Sequence, residues 1–169
     1  MKDLTLSLLF KDNQILLAMK KRGFGDGKWN GYGGKVEEGE TIEDAAIREI
    51  QEEGNVTVEK EDLESFGVID FYFSDKPEYN QKVHIFKVTK WEGEPEETEE
   101  MKPEWFDFDK IPYEKMWAGD DQFISRLIKG EKVFGEIHFD EEGKKLGLVE
   151  LRSEINRRGE NPSNEIKML

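Results

Sequence analysis

A glycine-rich segment followed directly by a glutamate-bearing helix is the feature that most constrains this chain. Residues 20–34, KKRGFGDGKWNGYGG, hold six glycines in fifteen residues, and we expect no regular structure there. An apolar pattern with helical spacing then predicts an amphipathic helix that begins near Thr41 and ends at Gly54 and Asn55. Thr41 and Asp44 approximate a capping box at its start. The segment and the helix are therefore considered together as one candidate site.

Three glutamates, Glu49, Glu52 and Glu53, occupy an unusual position on this helix. Its buried face is marked by apolar residues within about 80° of Ile42 on a helical wheel, namely Ala45, Ala46 and Ile50. Glu49 and Glu53 lie within about 20° of the centre of that arc, and Glu52 lies on its edge. We therefore expect these carboxylates to point inward.

Carboxylates gathered away from bulk water need a compensating proton or cation. A polyvalent metal ion is the simplest partner, because an uncompensated buried charge is costly. Oxygen ligands suit Mg²⁺, with Mn²⁺ as a substitute. Softer metals are not expected, since the chain has no Cys and its two histidines, His84 and His138, lie far from the helix in sequence.

The length and the order of predicted elements indicate one domain with a substantial core. We place this domain at residues 1–152 of the 169 and treat residues 153–169 as a polar C-terminal tail, either disordered or packed on the domain. β-Strand patterns occur in runs around two helices, the second of them DDQFISRLIKG, and residues 92–104 form an acidic loop. This order favours an α/β fold of the α+β kind, with a mixed β-sheet between α-helices.

Charge and composition narrow the classes of partner. Asp and Glu number 39 against 25 Lys and Arg, a formal net charge of -14. Such a surface disfavours nucleic-acid polymers and anionic membranes, whereas a small anion can still be held by local cations and a metal. No apolar run approaches the ~18 residues of a membrane span. The lack of cysteine and of a signal sequence favours a cytoplasmic protein, and we expect a monomer.

The spacing of charged residues resembles the Nudix box, the signature of hydrolases of nucleoside diphosphates linked to another group. Gly34, five residues, Glu40, seven residues and then Arg48-Glu49-Ile50-Gln51-Glu52-Glu53 match the pattern GX5EX7REUXEE at every fixed position. By this resemblance Glu40 is structural. Asn55 stands where the family has glycine. Because Asn also adopts the left-handed conformation that ends helices, we expect altered capping with catalysis retained.

The resemblance implies a role for each matched catalytic position. Glu49, Glu52 and Glu53 are implied as ligands that hold Mg²⁺ against a diphosphate, with the Gly33 carbonyl as a further ligand. Arg48 is expected to orient Glu52 or a neighbouring carboxylate rather than to contact substrate. Glu53 is the first candidate for the general base, and a hydroxide activated by the metal is the alternative.

Outside the box, the chain is similar to one branch of the family, the oxidised purine nucleoside triphosphate hydrolases or MutT-like 8-oxo-dGTP diphosphatases. The similarity covers about residues 3 to 150 and is carried by MKKRGFGDGKWNGYGGKVEEGETIED and EEMKPEWFDFDKIPYEKMW. It implies a mixed β-sheet sandwiched between α-helices. It also implies Mg²⁺-dependent hydrolysis of 8-oxo-dGTP or 2-hydroxy-dATP to the monophosphate and diphosphate, which sanitises the nucleotide pool. By matching position, Glu100 is a further metal ligand.

The same similarity implies a purine pocket. Asn30 is suited to a purine edge and Trp117 to stacking, because an amide both donates and accepts and an indole offers an apolar face. The other implied pocket residues are Thr5, Lys20, Phe24 and Phe71. Lys20 is a candidate contact for sugar or phosphate, and core packing is the alternative for both phenylalanines.

Asp120 and Asp121 are implied as the carboxylates that recognise the base. They follow Trp117-Ala118-Gly119, one residue further along than in the family. Two adjacent carboxylates that share one proton can accept from one purine edge and donate to another, which suits more than one oxidised purine. The alternative for Asp120 is an N-cap of the second helix.

The sequence is also compatible with other functions. Nudix hydrolases of dinucleoside polyphosphates, ADP-ribose or mRNA caps would use the same metal cluster. The distinguishing feature is whether Asn30, Trp117, Asp120 and Asp121 converge on one purine-sized pocket. A catalytically silent nucleotide-binding module is a further alternative, although it would predict a damaged box and the glutamates of this box are intact.

Overall fold

A computed structural model describes residues 1–155 and 166–168. Its strands are β1 (Lys2–Lys11), β2 (Gln14–Lys20), β3 (Trp29–Asn30), β4 (Tyr32–Lys35), β5 (Leu63–Phe73), β6 (Gln81–Val88), β7 (Met101–Asp107), β8 (Glu131–Asp140), β9 (Lys145–Ile155) and β10 (Ile166–Met168). The α-helices are α1 (Ile42–Gly54) and α2 (Asp120–Leu127). Most of the predicted tail, residues 156–165 and 169, lies outside the described residues. Within them, no helix is long and apolar enough to cross a membrane.

The strands form one mixed sheet with a helix on each face, as the sequence predicted. The order is β10-β9-β8-β5-β6-β1-β2-β3, with β4 paired to β1 and β7 paired to β2. The β1–β6 and β5–β8 pairs are parallel. Alternate residues of β1 enter different hydrophobic cores, since Leu8 belongs to the larger cluster that includes α2 and Leu9 to the smaller cluster that includes α1.

Strand β1 changes partners along one edge, and this change positions the site. Its residues Leu4–Ser7 pair with β4, whereas Leu9–Lys11 pair with β2. On its other edge β1 pairs with β6 from Lys2 to Leu9. β2 and β4 therefore leave β1 at different points, and the cleft described below lies beside the half that pairs with β4.

Helix α1 begins and ends where the sequence predicted. Thr41 is its N-cap, and the Thr41 Oγ1 accepts a hydrogen bond from the Asp44 N–H at 3.1 Å. Asn55 adopts a left-handed conformation with a φ of 55°, and its N–H donates to the Gln51 carbonyl at 2.9 Å. Asn55 thus ends the helix as the glycine of the family pattern would.

Some predicted element boundaries were wrong. The glycine-rich segment was expected to be irregular, yet it contains β3 and β4. Gly33 permits this pairing, because a Cβ at that position would overlap the Thr5 carbonyl oxygen on β1. The acidic loop ends earlier than residue 104, since Met101 is buried and begins β7 along β2. Helix α2 ends at Leu127 rather than near Gly130.

Candidate active site

A cleft of about 470 Å³ lies beside β4 and brings together most of the predicted residues. Its lining includes Thr5, Lys20, Phe24, Asn30, Gly33, Glu49, Glu53, Phe71, Glu100, Trp117 and Asp120. Arg48, Glu52 and Asp121 do not line it. Acidic residues define one part, the carboxylate region (Glu49, Glu53 and Glu100), and rings define another, the aromatic region (Phe24, Phe73, Tyr79 and Trp117).

Glu53 is the buried centre of the carboxylate region. Its side chain is 7% exposed, and its Oε1 accepts a hydrogen bond from the Gly33 N–H at 3.1 Å. The pKa of Glu53 is raised to about 8, mainly by burial and also by the neighbouring carboxyls of Glu49 and Glu100, while the hydrogen bond from the Gly33 N–H opposes this rise. Glu49 also faces inward, with 15% of its side chain exposed. The inward orientation predicted from the helical wheel is therefore confirmed for Glu49 and Glu53.

Arg48 lies outside the cleft and connects the carboxylates around it. Its guanidinium donates to Glu40 at 2.8 and 2.9 Å, to Glu49 at 2.9 Å and to Glu52 at 3.2 Å. The arginine holds the pKa of Glu40 well below its usual range, at about 2. Glu52, on the edge of the buried arc, was also expected to point inward, but 59% of its side chain is exposed and it points to Arg48, so this expectation was wrong. Arg48 thus contacts Glu40, Glu49 and Glu52, and its role in orienting Glu52 or a neighbouring carboxylate stays a prediction.

The donor chemistry of the carboxylate region fits a hard divalent cation. Glu53 is a buried carboxyl next to two further acidic groups, so that a cation would offset the repulsion that raises its pKa. In residues 1–155 and 166–168, no three acidic or histidine side chains are already gathered around one point. Glu49 and Glu100 instead face arginines, at 2.9 Å from Arg48 and 3.4 Å from Arg22. The Glu49 side chain also lies within hydrogen-bond reach of the Glu53 carboxyl, so these two groups are already adjacent.

The aromatic region provides a wall for a flat ligand. Trp117 lies 6.4 Å from Phe73 and 5.0 Å from Phe24, measured between ring centroids. Phe71 is 9% exposed and packs between Phe123 and Phe139, so it contributes to the core as well as to the cleft. Phe24 is 44% exposed and belongs to the cleft rather than to the core.

Three polar residues face the same space as the aromatic wall. Asn30 accepts a hydrogen bond from the Gly31 N–H at 2.8 Å through its side-chain oxygen, which leaves its NH₂ group available to a ligand. Thr5 is 3% exposed, and its hydroxyl has no hydrogen-bond partner among the described residues. Lys20 lines the cleft from the end of β2.

Asp120 and Asp121 separate in the structure. Asp120 is the first residue of α2, is 3% exposed, and accepts a hydrogen bond from the Trp117 N–H at 3.2 Å. Burial raises its pKa to about 8, and the charge of Asp121 adds to this effect. Asp121 is exposed and does not line the cleft. The N-cap is Gly119, so the alternative role for Asp120 as the capping residue was wrong.

Lys28 and Tyr79 are among the cleft residues that were not identified as site residues from the sequence. Lys28 places its Nζ 5.1 Å from the centre of the Trp117 ring, and its charge lowers the pKa of Asp120 against the effect of burial. Tyr79 is 40% exposed, follows β5 and lies 4.8 Å from Phe24 between ring centroids. Lys28 could have been identified from the sequence, because it belongs to the basic cluster of the glycine-rich segment. A single aromatic residue in a polar loop such as Tyr79 carried no such signal.

A family model, two related proteins and a solved structure all match this chain. The NUDIX domain model matches residues 3–127. The oxidized purine nucleoside triphosphate hydrolase of Danio rerio is 49% identical over 136 residues, which are 80% of this chain and 85% of that protein. The enzyme of the same name from Mus musculus is 45% identical over 138 residues, 82% of this chain and 86% of its own length. The crystal structure of a MutT protein from Bacillus halodurans aligns with a TM-score of 0.76 at 27% identity, covering 90% of this chain and 97% of that one.

Proposed function

The chain belongs to the Nudix family of hydrolases, which act on phosphoric anhydride bonds, and we propose that its substrates are oxidised purine nucleoside triphosphates such as 8-oxo-dGTP and 2-hydroxy-dATP. The products are the nucleoside monophosphate and diphosphate. In this role the enzyme removes damaged nucleotides from the pool before polymerases use them.

One observation carries the proposal: a single cleft joins the carboxylate region to an aromatic wall with a buried carboxyl at its edge. Glu49, Glu53 and Glu100 supply the acidic part. Trp117 and Asp120 supply a stacking face and a hydrogen-bonding group of the kind that a purine requires. A nucleoside triphosphate has the matching two parts, a polyanion and a flat base.

The divalent cation that Nudix hydrolases generally use is Mg²⁺ in our proposal, with Mn²⁺ as a substitute. Glu49, Glu53, Glu100 and the Gly33 carbonyl would hold it. When bound, the cation offsets the charge of the phosphates and activates water for attack on phosphorus. Arg48 orients Glu49 from outside the cleft, with Glu52 and Glu40 as its other partners. Glu53 is the proposed base, because it is the most buried carboxyl of the carboxylate region and lies beside Glu49.

The base is proposed to stack in the aromatic region. Asn30 donates from its free NH₂ group to a purine acceptor. Burial keeps the carboxyl group of Asp120 protonated, and its O–H donates a hydrogen bond to the base. The side chain of Asp121 is exposed, and in this proposal it acts only indirectly: its charge raises the pKa of Asp120. When protonated, Asp120 donates to an acceptor on the base, and when ionised, it accepts from a donor on the base. This pair of states suits more than one oxidised purine.

The test is hydrolysis in the presence of Mg²⁺ of a panel of 8-oxo-dGTP, 2-hydroxy-dATP, dGTP, ADP-ribose and diadenosine tetraphosphate, with the nucleotide products of each separated and quantified by chromatography. The variants are Glu53→Gln and, as a matched control, Glu38→Gln, which removes the same charge from an exposed residue outside the cleft. Selective turnover of the oxidised purines by the wild type and Glu38→Gln, lost in Glu53→Gln, is the expected result.

The other outcomes separate the alternatives. Preferential turnover of ADP-ribose or diadenosine tetraphosphate would retain the hydrolase and refute the assignment of the purine pocket. No turnover of any panel member would favour a nucleotide-binding module. The cytoplasmic location and the monomeric state remain predictions, for which cell fractionation and light scattering are the direct measurements.

A further inference from the structure

Three rings from three different loops form a row across the cleft, which we call the aromatic bridge (Tyr79, Phe24 and Trp117). The Phe24 ring centroid lies 5.0 Å from that of Trp117, with an interplanar angle of 37°. On its other side it lies 4.8 Å from that of Tyr79, with an angle of 34°. Phe24 belongs to the glycine-rich segment, Tyr79 to the β5–β6 connection and Trp117 to the segment before α2. The bridge therefore links parts of the chain that are distant in sequence.

The glycine-rich segment covers the Trp117 indole at more than one point. Besides the Phe24 ring, the Lys28 Nζ lies 5.1 Å from the centre of the indole. Gly25 packs so closely that a Cβ on it would lie 3.2 Å from the indole Cζ2. From the β8–β9 turn, the buried Gly143 packs against the same indole. Because Phe24 is exposed and Gly143 is buried, the glycine-rich segment is the wall that a stacking base would displace.

The contacts that hold Phe24 in place are mainly those of its ring. Residues 21–28 belong to no strand of the described sheet. Their backbone hydrogen bonds close a local turn, from the Asp26 N–H to Gly23 and from the Lys28 N–H to Gly25. Others attach the ends of the turn, from the Gly27 N–H to Lys20 and from the Lys21 N–H to Glu100. These bonds keep the shape of the turn and do not fix it to Trp117. Besides the contacts of Gly25 and Lys28 with the indole, the position of Phe24 over Trp117 depends on its ring neighbours, of which Tyr79 is the nearest.

We propose that Tyr79 is a positioning residue for purine binding: it holds the Phe24 ring over Trp117, so that Phe24 and the incoming base compete for one indole. This inference rests on the proposed function. A protein whose binding-competent state is only partly populated binds its ligand more weakly by that fraction. Loss of one aromatic pair changes such a population by about two- to tenfold. Removal of the Tyr79 ring therefore opens the site and tightens nucleotide binding.

The experiment compares Tyr79→Leu, Tyr79→Phe and Tyr72→Leu with the wild type. Tyr72 is a matched control because its ring also has an aromatic partner at 4.8 Å, His138, and it does not line the cleft. Hydrogen exchange of residues 20–28 is measured by mass spectrometry without metal or nucleotide. Binding of 8-oxo-dGMP is measured separately by calorimetry. Tyr79→Leu is expected to exchange about two- to tenfold faster and to lower the Kd by a similar factor.

Tyr79→Phe retains the ring and is expected to behave as the wild type, as is Tyr72→Leu. An unchanged rate of hydrogen exchange in Tyr79→Leu would overturn the proposal. A higher Kd for 8-oxo-dGMP would also overturn it, because it would show that the Tyr79 ring contacts the base. Failure of the proposed function gives a different result, namely no purine nucleotide binding by the wild type itself. Because Tyr79 is in an exposed loop, a folded Tyr79→Leu protein is expected, and its circular dichroism spectrum verifies this.

Discussion

Asp120→Asn is expected to remove a pH dependence that the buried carboxyl imposes on the stability of the protein. Burial is the main reason that the pKa of Asp120 rises from 3.8 to about 8. The folded protein then keeps a proton at pH values where the unfolded chain has released it. The contribution of Asp120 to the free energy of unfolding therefore falls as the pH rises from about 4 to about 8, and this contribution is constant outside that range.

The magnitude follows from the size of the pKa change. Between the two pKa values, each pH unit costs about 1.4 kcal/mol, so the contribution of Asp120 falls by roughly 3 kcal/mol from pH 5 to pH 7. An amide at position 120 does not titrate, and its oxygen can still accept the hydrogen bond from the Trp117 N–H. The stability of Asp120→Asn relative to the wild type should therefore increase by roughly 3 kcal/mol over this interval.

The assay is urea unfolding at pH 5, 6 and 7 in the presence of a chelator, followed by tryptophan fluorescence. Asp109→Asn is the control, since it removes the same charge from an exposed residue between β7 and α2. Its difference from the wild type should not vary with pH over this range. If the difference for Asp120→Asn were equally constant, Asp120 would not be protonated in the folded protein at neutral pH. The proposed donation to the base would then fail as well.

Three further predictions concern other parts of the cleft. Glu53→Gln should abolish diphosphate release and yet stabilise the metal-free protein in urea above pH 8, because it removes a buried charge; lower stability would contradict this explanation. Gly33→Ala should lower the free energy of unfolding by roughly 3 kcal/mol, since a Cβ would overlap the Thr5 carbonyl oxygen, and an unchanged urea midpoint would exclude the overlap. Trp117→Ala should raise the Kd for a purine monophosphate by about 5- to 150-fold in calorimetry, with Trp117→Phe intermediate; equal affinities would place the base elsewhere.

The sequence predicted best where a single local period governs the structure. Helical spacing was sufficient to bring Glu49 and Glu53 to the buried face of α1, and the capping pattern located Thr41 and Asn55. Glu52 shows the limit of this approach. It falls on the edge of the arc, where a small rotation decides between cleft and solvent, and Arg48 holds it on the solvent side.

Features that depend on distant partners were predicted less well. β3 and β4 form because β1 and β2 accept them, and β7 begins at Met101 because β2 continues alongside it. No local pattern contains these pairings. Asp120 was assigned to the base by resemblance and also considered as an N-cap, but Gly119 adopts the left-handed conformation and takes the cap position itself. Tyr79 became part of the site only through its contact with Phe24, which lies far away in sequence.

The division of β1 between two hydrophobic cores has a consequence for how the protein tolerates change. The carboxylate region is supported by the smaller core, with Ile50 of α1 and Met101 of β7, and the aromatic region by the larger one, with Phe123 of α2. A repacking mutation in the smaller core should lower kcat and leave selection of the base intact. One in the larger core should alter which base is bound while the chemistry continues. Substrate preference and catalytic rate can thus change independently, each through mutations in its own hydrophobic core.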